Sequence, residues 1–460
     1  MLEKIESIAG NISSIVWGEY VLIPLLSIVG IYLTIGLRAL PWFKITTAVQ
    51  LLLQTPSDER GEISPRHALM TALSATIGTG NIAGVATAIY FGGPGAVFWM
   101  WLIALFGMAT KYSEAVLAIK FRQVDENGHF VGGPMYYIKN GLGARWRWMA
   151  SAFAFFGMIA AFGIGNMVQS NSVADALLAT FDVKKLYTGI AMAVLVGFVI
   201  LGGIHRIAEV VSKIVPVMAV AYISCTIIIL FIFRSEVPAA FALIFSSAFS
   251  GSAASGGFLG ATIWMAIRFG VARGIFSNES GLGSAAIAHG AAKTNKPIEQ
   301  GLIAMLGTFI DTIIVCTLTA LVLIVTNAWL SGENGAAMST LAFARGFNHG
   351  GAEMVSVGLA IFAFTTIIGW SYYGERCVSY LFGAHLIKFY RIAWVAAVLV
   401  GALFKLDLVW TLADIFNGLM ALPNLIALLL LSPVIFAETR AYFAGRPTPD
   451  VDDENGKPER

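Results

Sequence analysis

Two short runs gather the residue types that hold small solutes. Ser74-Ala-Thr-Ile-Gly78-Thr79-Gly80-Asn81-Ile-Ala-Gly84 places glycines and polar side chains in the middle of an apolar stretch, and Gly274-Ile-Phe276-Ser277-Asn278-Glu279-Ser280-Gly281-Leu-Gly283-Ser284 does the same. Glycine inside a helix costs about 1 kcal/mol relative to alanine. A carboxylate such as Glu279 at membrane depth costs several kcal/mol more unless it is paired or hydrated. A break in each helix compensates: freed N–H groups and half-helix N-termini attract an anionic carboxylate, while freed carbonyls hold a cation. Small residues also serve close helix packing, but two polar, glycine-rich breaks five spans apart favour a binding site.

The elements around these runs must be membrane helices. Of 460 residues, 57% are hydrophobic and 12% charged, which a soluble surface does not accommodate. A bilayer core of roughly 30 Å needs about 20 apolar residues of helix. Eleven segments qualify: about 16–37, 66–90, 95–119, 148–181, 186–204, 208–233, 258–290, 299–330, 353–383, 388–405 and 409–437. The tenth is the weakest, with a short apolar core flanked by Lys388, Arg391 and Lys405. The runs are continuous rather than alternating, which excludes a transmembrane β-barrel.

Most lysines and arginines fall in alternate inter-span segments, among them Arg38, Lys44, Arg60, Lys120, Arg122, Arg206, Lys293, Arg376 and Arg440. By the positive-inside rule the N-terminus is outside and the C-terminus cytoplasmic, in a cell inner membrane. Residues 1–19 lack the basic start and cleavage site of a signal peptide. Setting aside the N-terminal region, residues 1–45, leaves two five-helix halves, 46–234 and 235–438. Each half opens with one of the two breaks; an odd number of spans per half makes them inverted repeats. Residues 439–460 are polar and acidic and read as a solvated cytoplasmic tail. The fold class expected is an all-α integral membrane protein, one extra helix plus a 5+5 inverted repeat with two discontinuous helices.

Other polar residues carry weaker signals. Asn166, Gln169 and Ser170 share a helical face, from which Gln169 is the choice to line a cavity, against interhelical hydrogen bonding. Asp311 lies midway along the eighth span, Lys111 and Glu114 read as a structural i,i+3 bridge, and Arg268 or Arg273 is a candidate partner of Glu279 or Asp311. Cys225, Cys316 and Cys377 lie in apolar stretches with no metal-binding spacing and read as small core residues. Six scattered histidines give no HExxH, and no GxSxG elbow occurs, which disfavours a membrane enzyme. Two corresponding breaks disfavour a channel with repeated filter loops.

Gly92-Gly-Pro-Gly-Ala-Val-Phe-Trp-Met-Trp-Leu-Ile-Ala-Leu-Phe-Gly107 closely resembles the signature of the sodium:alanine symporters, the alanine or glycine:cation symporter family. Gly132-Gly-Pro-Met-Tyr-Tyr-Ile138 and Ser277-Asn-Glu-Ser-Gly-Leu-Gly283 also look like that family's segments, and the resemblance runs from about residue 14 to 437. It implies a leucine-transporter-type fold and sodium-coupled uptake of alanine or glycine, with no cofactor beyond the coupling ion and no nucleic-acid partner. Within that fold, the resemblance implies that N–H groups around Thr79 and Gly80 receive the substrate carboxylate and that Asn81 is an oxygen ligand near a cation or the substrate. Phe276 matches an aromatic shield, Ser277 a hydroxyl near the first sodium position, and Asn278 joins them as a substrate-binding residue. Thr365 and Thr366 match the hydroxyl pair of the second sodium position, with carbonyls from Ser74 and Ile77 opposite. Trp370, one turn beyond Thr366, is placed to close the pocket and limit side-chain size. Glu279 departs from the small polar residues usual on this fold, which leaves open substrate pairing, ordering of the unwound segment or proton binding. Proton coupling through Glu279 or Asp311 is the alternative to sodium.

Overall fold

The computed structural model describes residues 2–18, 21–54, 60–252, 258, 260–347, 349–404 and 407–446. Their architecture is helical throughout, apart from a small antiparallel hairpin pairing Gln123–Val124 with Phe130–Val131. Helices occupy each of the eleven expected places. Seven are long and apolar enough to cross a bilayer: Ala96–Lys120, Ala144–Phe181, Gly203–Ile232, Pro297–Val325, Gly351–Phe382, Ala384–Leu403 and Thr411–Leu430. The pair Pro65–Thr76 and Gly80–Gly92, bent by 52°, makes an eighth. Leu22–Gly36 and Lys185–Ile200 are shorter apolar helices, and the last place holds the pair Ile263–Asn278 and Ser284–Gly290.

Further helices among the described residues escape a search for long apolar runs, among them Leu2–Val16, Ile45–Leu53, Val237–Ser250 and Gly335–Gly346. The first is amphipathic. Ile8, Ile12 and Ile15 point outward, while Ala9 and Val16 are buried and Trp17 Nε1, just beyond the helix, donates to Asp414 O at 2.8 Å. Such a stripe fits an interface better than a crossing. The final helix, Asp407–Phe443, runs past the expected start of the tail because Thr439 is buried: its hydroxyl meets Tyr112 at 2.8 Å, and neighbouring Glu438 pairs with Lys120 at 2.8 Å. The rest of that tail, 447–460, lies outside the described residues.

Polarity is arranged inside out relative to a soluble protein. Val217, Val220, Ile228 and Phe231 of Gly203–Ile232 are exposed, whereas Lys111, Glu114, Glu279 and Asp311 are buried. Lipid solvates the apolar exterior, so polar groups gather at the centre, where they can satisfy one another. Helix Ala96–Lys120 is the central post, packed against both Ile263–Asn278 and Pro297–Thr308. Gly107 lets Ser280 approach: a Cβ there would meet the Ser280 hydroxyl at 2.9 Å.

Both runs singled out in the sequence are uncoiled. In the first, the α-helix stops at Thr76, and chain resumes as a π turn over Gly80–Gly84 before Val85–Gly92. In the second, Glu279, Gly281 and Gly283 all have left-handed φ, at 56°, 89° and 79°. Further π segments at Gly163–Met167 and Phe309–Cys316 widen the helices beside the breaks.

Gly283 is under two constraints at once, its positive φ and a Cβ position only 2.5 Å from Pro134 Cγ and 2.9 Å from Asn424 Cγ. The left-handed conformation alone costs an L-residue roughly 1–2 kcal/mol, and the contacts add to it. Gly283→Ala therefore lowers the thermal unfolding midpoint of the detergent-solubilised protein. A midpoint equal to that of the parent would show that the second break tolerates a side chain.

Candidate functional site

The first break is built by one side chain. Asn81 Oδ1 accepts the Gly78 N–H at 2.9 Å, and the Asn81 N–H turns to Gly78 O at 3.3 Å. In a continuous helix these two N–H groups would serve the carbonyls four residues earlier, Ser74 and Ile77. Those carbonyls thus lose their regular donors. Among the described residues, the N–H groups of Thr79 and Gly80 meet no acceptor outside the helices. The segment therefore presents released carbonyls on one side and released donors a few residues later.

The second break uses the same device with more parts. Asn278 Oδ1 accepts from Ser280 N at 2.9 Å, and Glu114 Oε1 accepts from Gly281 N at 3.0 Å and Gly283 N at 3.1 Å. Asn424 Nδ2 spans Glu114 Oε1 at 2.7 Å and Gly281 O at 2.9 Å, and is itself oriented by the Tyr137 hydroxyl bonded to its Oδ1. Diverting the Ser280 and Gly281 N–H groups releases the carbonyls of Phe276 and Ser277. A buried carboxylate that receives three N–H donors is well stabilised, and here it fixes the uncoiled loop.

Asp311 ties the two breaks together. Its Oδ1 accepts from Asn81 Nδ2 at 2.7 Å, and its Oδ2 accepts from Ser277 Oγ at 2.8 Å and Thr312 Oγ1 at 2.7 Å. The breaks also touch directly: a Cβ on Gly80 would lie 3.2 Å from Ser277 Cα and 3.3 Å from Phe276 Cδ1. Thr79 Oγ1 and Gln169 Oε1 are buried without a hydrogen-bond partner among the described residues. The latter lies 3.6 Å from where a Gly78 Cβ would be, while Gln169 Nε2 is held by Ile164 O at 3.0 Å.

Helix Gly351–Phe382 closes one side. Thr366 Oγ1 is 2.5 Å from a Cβ position on Gly78, and Ser74 Oγ is 2.6 Å from one on Gly369, so this helix lies directly against the first break. Thr365 instead faces Met218 Sδ at 3.6 Å on helix Gly203–Ile232. Both threonine hydroxyls bond back to Phe362 O, at 2.9 and 3.0 Å, and Ser74 Oγ bonds back to Thr71 O at 2.7 Å. Such back-bonding keeps a hydroxyl satisfied in a membrane helix. Trp370 Nε1 donates to Glu279 Oε1 at 2.8 Å, and Ser284 Oγ donates to Glu279 Oε2 at 2.5 Å.

The structure thus brings Ser74, Ile77, Thr79, Gly80, Asn81, Gln169, Phe276, Ser277, Thr366 and Trp370 around the two breaks. Asn278 has its side chain committed to the loop and to Thr312 Oγ1 at 3.1 Å, and Thr365 is turned toward the neighbouring helix. Neither Arg268 nor Arg273 pairs with Glu279 or Asp311, whose partners are the neutral groups just named. Nor does the Lys111–Glu114 bridge form: Glu114 Oε1 accepts the loop N–H groups, and both Glu114 Oε2 and Lys111 Nζ are buried with no hydrogen-bond partner among the described residues. Glu114 is the functional residue that sequence reasoning misread. An intramembrane acid is signal enough to find it, but its i,i+3 lysine offered a simpler explanation. Asn166 acts as interhelical glue, donating to Trp394 O at 2.9 Å.

Comparison with known proteins gives the family and the fold. The model of the sodium:alanine symporter family matches residues 2–454. The sodium/alanine symporter AgcS of Methanococcus maripaludis is 52% identical, over 95% of this chain and 97% of its own. The probable sodium/glutamine symporter GlnT of Bacillus subtilis is 39% identical, over 96% and 91%. A crystal structure of MhsT in complex with L-phenylalanine has a TM-score of 0.56 at 12% identity, covering 83% of this chain and 99% of that one, which gives the fold as the leucine-transporter type. This chain belongs to the sodium:alanine symporter family: it is a multi-pass membrane symporter of an amino acid and a cation, and not an enzyme.

Proposed function

We propose that the chain carries alanine or glycine into the cell together with sodium, by alternating access around the two breaks. The observation that carries this reading is the pattern of released main-chain groups. The free N–H groups of Thr79 and Gly80 suit a substrate carboxylate. The carbonyls of Ser74 and Ile77, with the hydroxyl of Thr366, supply oxygens that suit sodium without a buried formal charge, and Thr365, turned toward Met218 in this arrangement, joins them only if its hydroxyl swings to the break. Asn81 and Ser277, drawn together by Asp311, supply further oxygens beside the substrate. Phe276 shields it, Gln169 and Thr79 offer the unpartnered polar atoms, and Trp370 limits side-chain size. Asn278 acts through the shape of the break.

Close contact of Gly80 with Ser277 and Phe276 favours a small side chain, and the likeness to a sodium/alanine symporter favours alanine and sodium. The cation distribution supports an N-terminus outside and a C-terminus in the cytoplasm of a cell inner membrane. Residues 46–234 and 235–438 then form the two inverted halves. Proton coupling has one observation behind it, that the buried carboxylates of Asp311 and Glu279 sit on the breaks themselves. Labelled alanine accumulates in proteoliposomes under a sodium gradient alone; accumulation under a proton gradient alone would transfer the coupling to those carboxylates.

Two substitutions separate the parts of the site. Thr366→Ala raises the sodium concentration for half-maximal uptake about tenfold, as expected from losing one ligand oxygen worth roughly 1–1.5 kcal/mol, with little change in the ratio of alanine to glycine uptake. An unaltered sodium activation curve would remove Thr366 from the ion site. Gly80→Leu fills the carboxylate's place and abolishes alanine binding by the purified protein; affinity kept in a monodisperse, folded variant would end that assignment.

A further inference from the structure

We propose that Glu279 is a positioning residue: its carboxylate latches the Trp370 indole as one wall of the central site, and so sets the largest side chain the site accepts. This deepens the reading of the site around Gly80 and rests on it. The latch consists of two hydrogen bonds. Ser284 Oγ donates to Glu279 Oε2 at 2.5 Å, which anchors the carboxylate at the end of its own loop. Trp370 Nε1 donates to Glu279 Oε1 at 2.8 Å, which carries the connection across to helix Gly351–Phe382.

The backbone shows that the loop itself does not ask for a glutamate here. Glu279 has φ at 56°, a left-handed conformation that costs an L-residue roughly 1–2 kcal/mol. Gly281 and Gly283 take the same hand without that cost. The N–H groups of Ser280, Gly281 and Gly283 are received by Asn278 and Glu114, so none of them needs Glu279. What the Glu279 side chain holds outside the loop is the indole. An indole N–H buried without an acceptor is costly, and the ring turns to find another when this carboxylate is removed.

Two helices fix where that ring stands. Ala144–Phe181 and Gly351–Phe382 run antiparallel: Thr180 Oγ1 meets Ser356 Oγ at 2.7 Å near one end, and a Cβ on Gly157 would lie 3.1 Å from Cys377 Sγ near the other. Between these points Gln169 and Thr366 both lie against Gly78. One turn from that level, toward Gly157 and Cys377, come Gly165 and Trp370. A Cβ on Gly165 would overlap Trp370 Cβ and Cγ, so the bare glycine is what admits the side chain. Tyr373 packs edge-on against the ring, 5.5 Å between centroids. The indole is thus buried one turn beyond Gly78, backed by Gly165 and Tyr373 and held at its nitrogen by Glu279.

Competition tests this. Labelled alanine bound to the purified full chain at saturating sodium is displaced by unlabelled alanine, 2-aminobutyrate, valine and leucine, and the ratio of leucine to alanine affinity is read. Glu279→Ala and Trp370→Phe remove the acceptor and the donor of one bond, and each raises that ratio about tenfold. The double variant raises it no further, because both changes act on the same bond. Glu279→Gln keeps an oxygen for the indole and an amide for Ser284, and retains the parent ratio. Ser284→Ala removes the anchor alone and moves the ratio the same way by less, which gives a second reading should Glu279→Ala fail to yield monodisperse protein. A general weakening of the fold would lower both affinities and leave their ratio unmoved. A parent ratio in Glu279→Ala and Ser284→Ala, with leucine admitted by Trp370→Ala, overturns the latch and keeps the indole as a wall. A parent ratio in Trp370→Ala as well removes the indole from the central site. Alanine uptake lost in Glu279→Gln at an unchanged ratio would assign the carboxylate to the ion or to the substrate ammonium, and overturn the latch.

Discussion

Main-chain N–H and C=O groups at membrane depth have no water to turn to, and this constraint decides what the two breaks look like. Each uncoiled residue releases a donor or an acceptor that must be met from within the protein. The chain meets most of them with three buried side chains. Asn81 takes Gly78 N–H, Asn278 takes Ser280 N–H, and Glu114 takes those of Gly281 and Gly283. What remains unmet is selective: donors at Thr79 and Gly80, and acceptors at Ser74, Ile77, Phe276 and Ser277. A solute with a carboxylate and a bare cation can complete what the protein leaves open.

Asp311 gives the two breaks a common fate. Asn81 from the first and Ser277 from the second donate to its two oxygens, so neither can move without changing the satisfaction of one buried carboxylate. Low polarity makes such a network costly to leave half-made. A ligand that binds one break better in one arrangement of this network thereby biases the other break, which is the thermodynamic content of coupling between an ion and a substrate.

Much of this was legible in the residues. Glycine and polar side chains inside apolar runs marked Gly78–Gly80 and Gly281–Gly283 as places where a helix cannot continue cheaply, and both are uncoiled. The threonine pair was read through position on the fold, and Thr366 does lie against Gly78 while Thr365 turns to Met218. Three-dimensional partners were not legible. Glu114 is separated from Gly281 by more than a hundred and sixty positions, and no periodicity links a carboxylate to a loop N–H at that distance. Amphipathic helices such as Leu2–Val16 were hidden for another reason: a search tuned to continuous apolar runs discards a stripe.

The proposed alternating access requires that one end of the molecule be held shut by contacts that yield. On the cation-rich face, Glu62 Oε2 meets both His129 Nδ1 and His205 Nε2 at 3.3 Å, while its Oε1 accepts Phe130 N–H at 3.0 Å. These groups come from the loop before the first break, the small hairpin and the start of helix Gly203–Ile232. Nearby, Arg376 and Arg391 both bind Glu375, at 2.8 and 2.6 Å, and Arg376 reaches Asp125 at 3.4 Å. The histidine side chains are 49% and 62% exposed, so water replaces such pairs at a cost of about 1 kcal/mol or less each. Buried hydrogen bonds at Asp311 and Glu114 are of a different order, since nothing replaces them. The exposed Glu62–histidine contacts are therefore the weak ones at this face, while the Arg376–Glu375 pair is buried and costly to break, as the centre is.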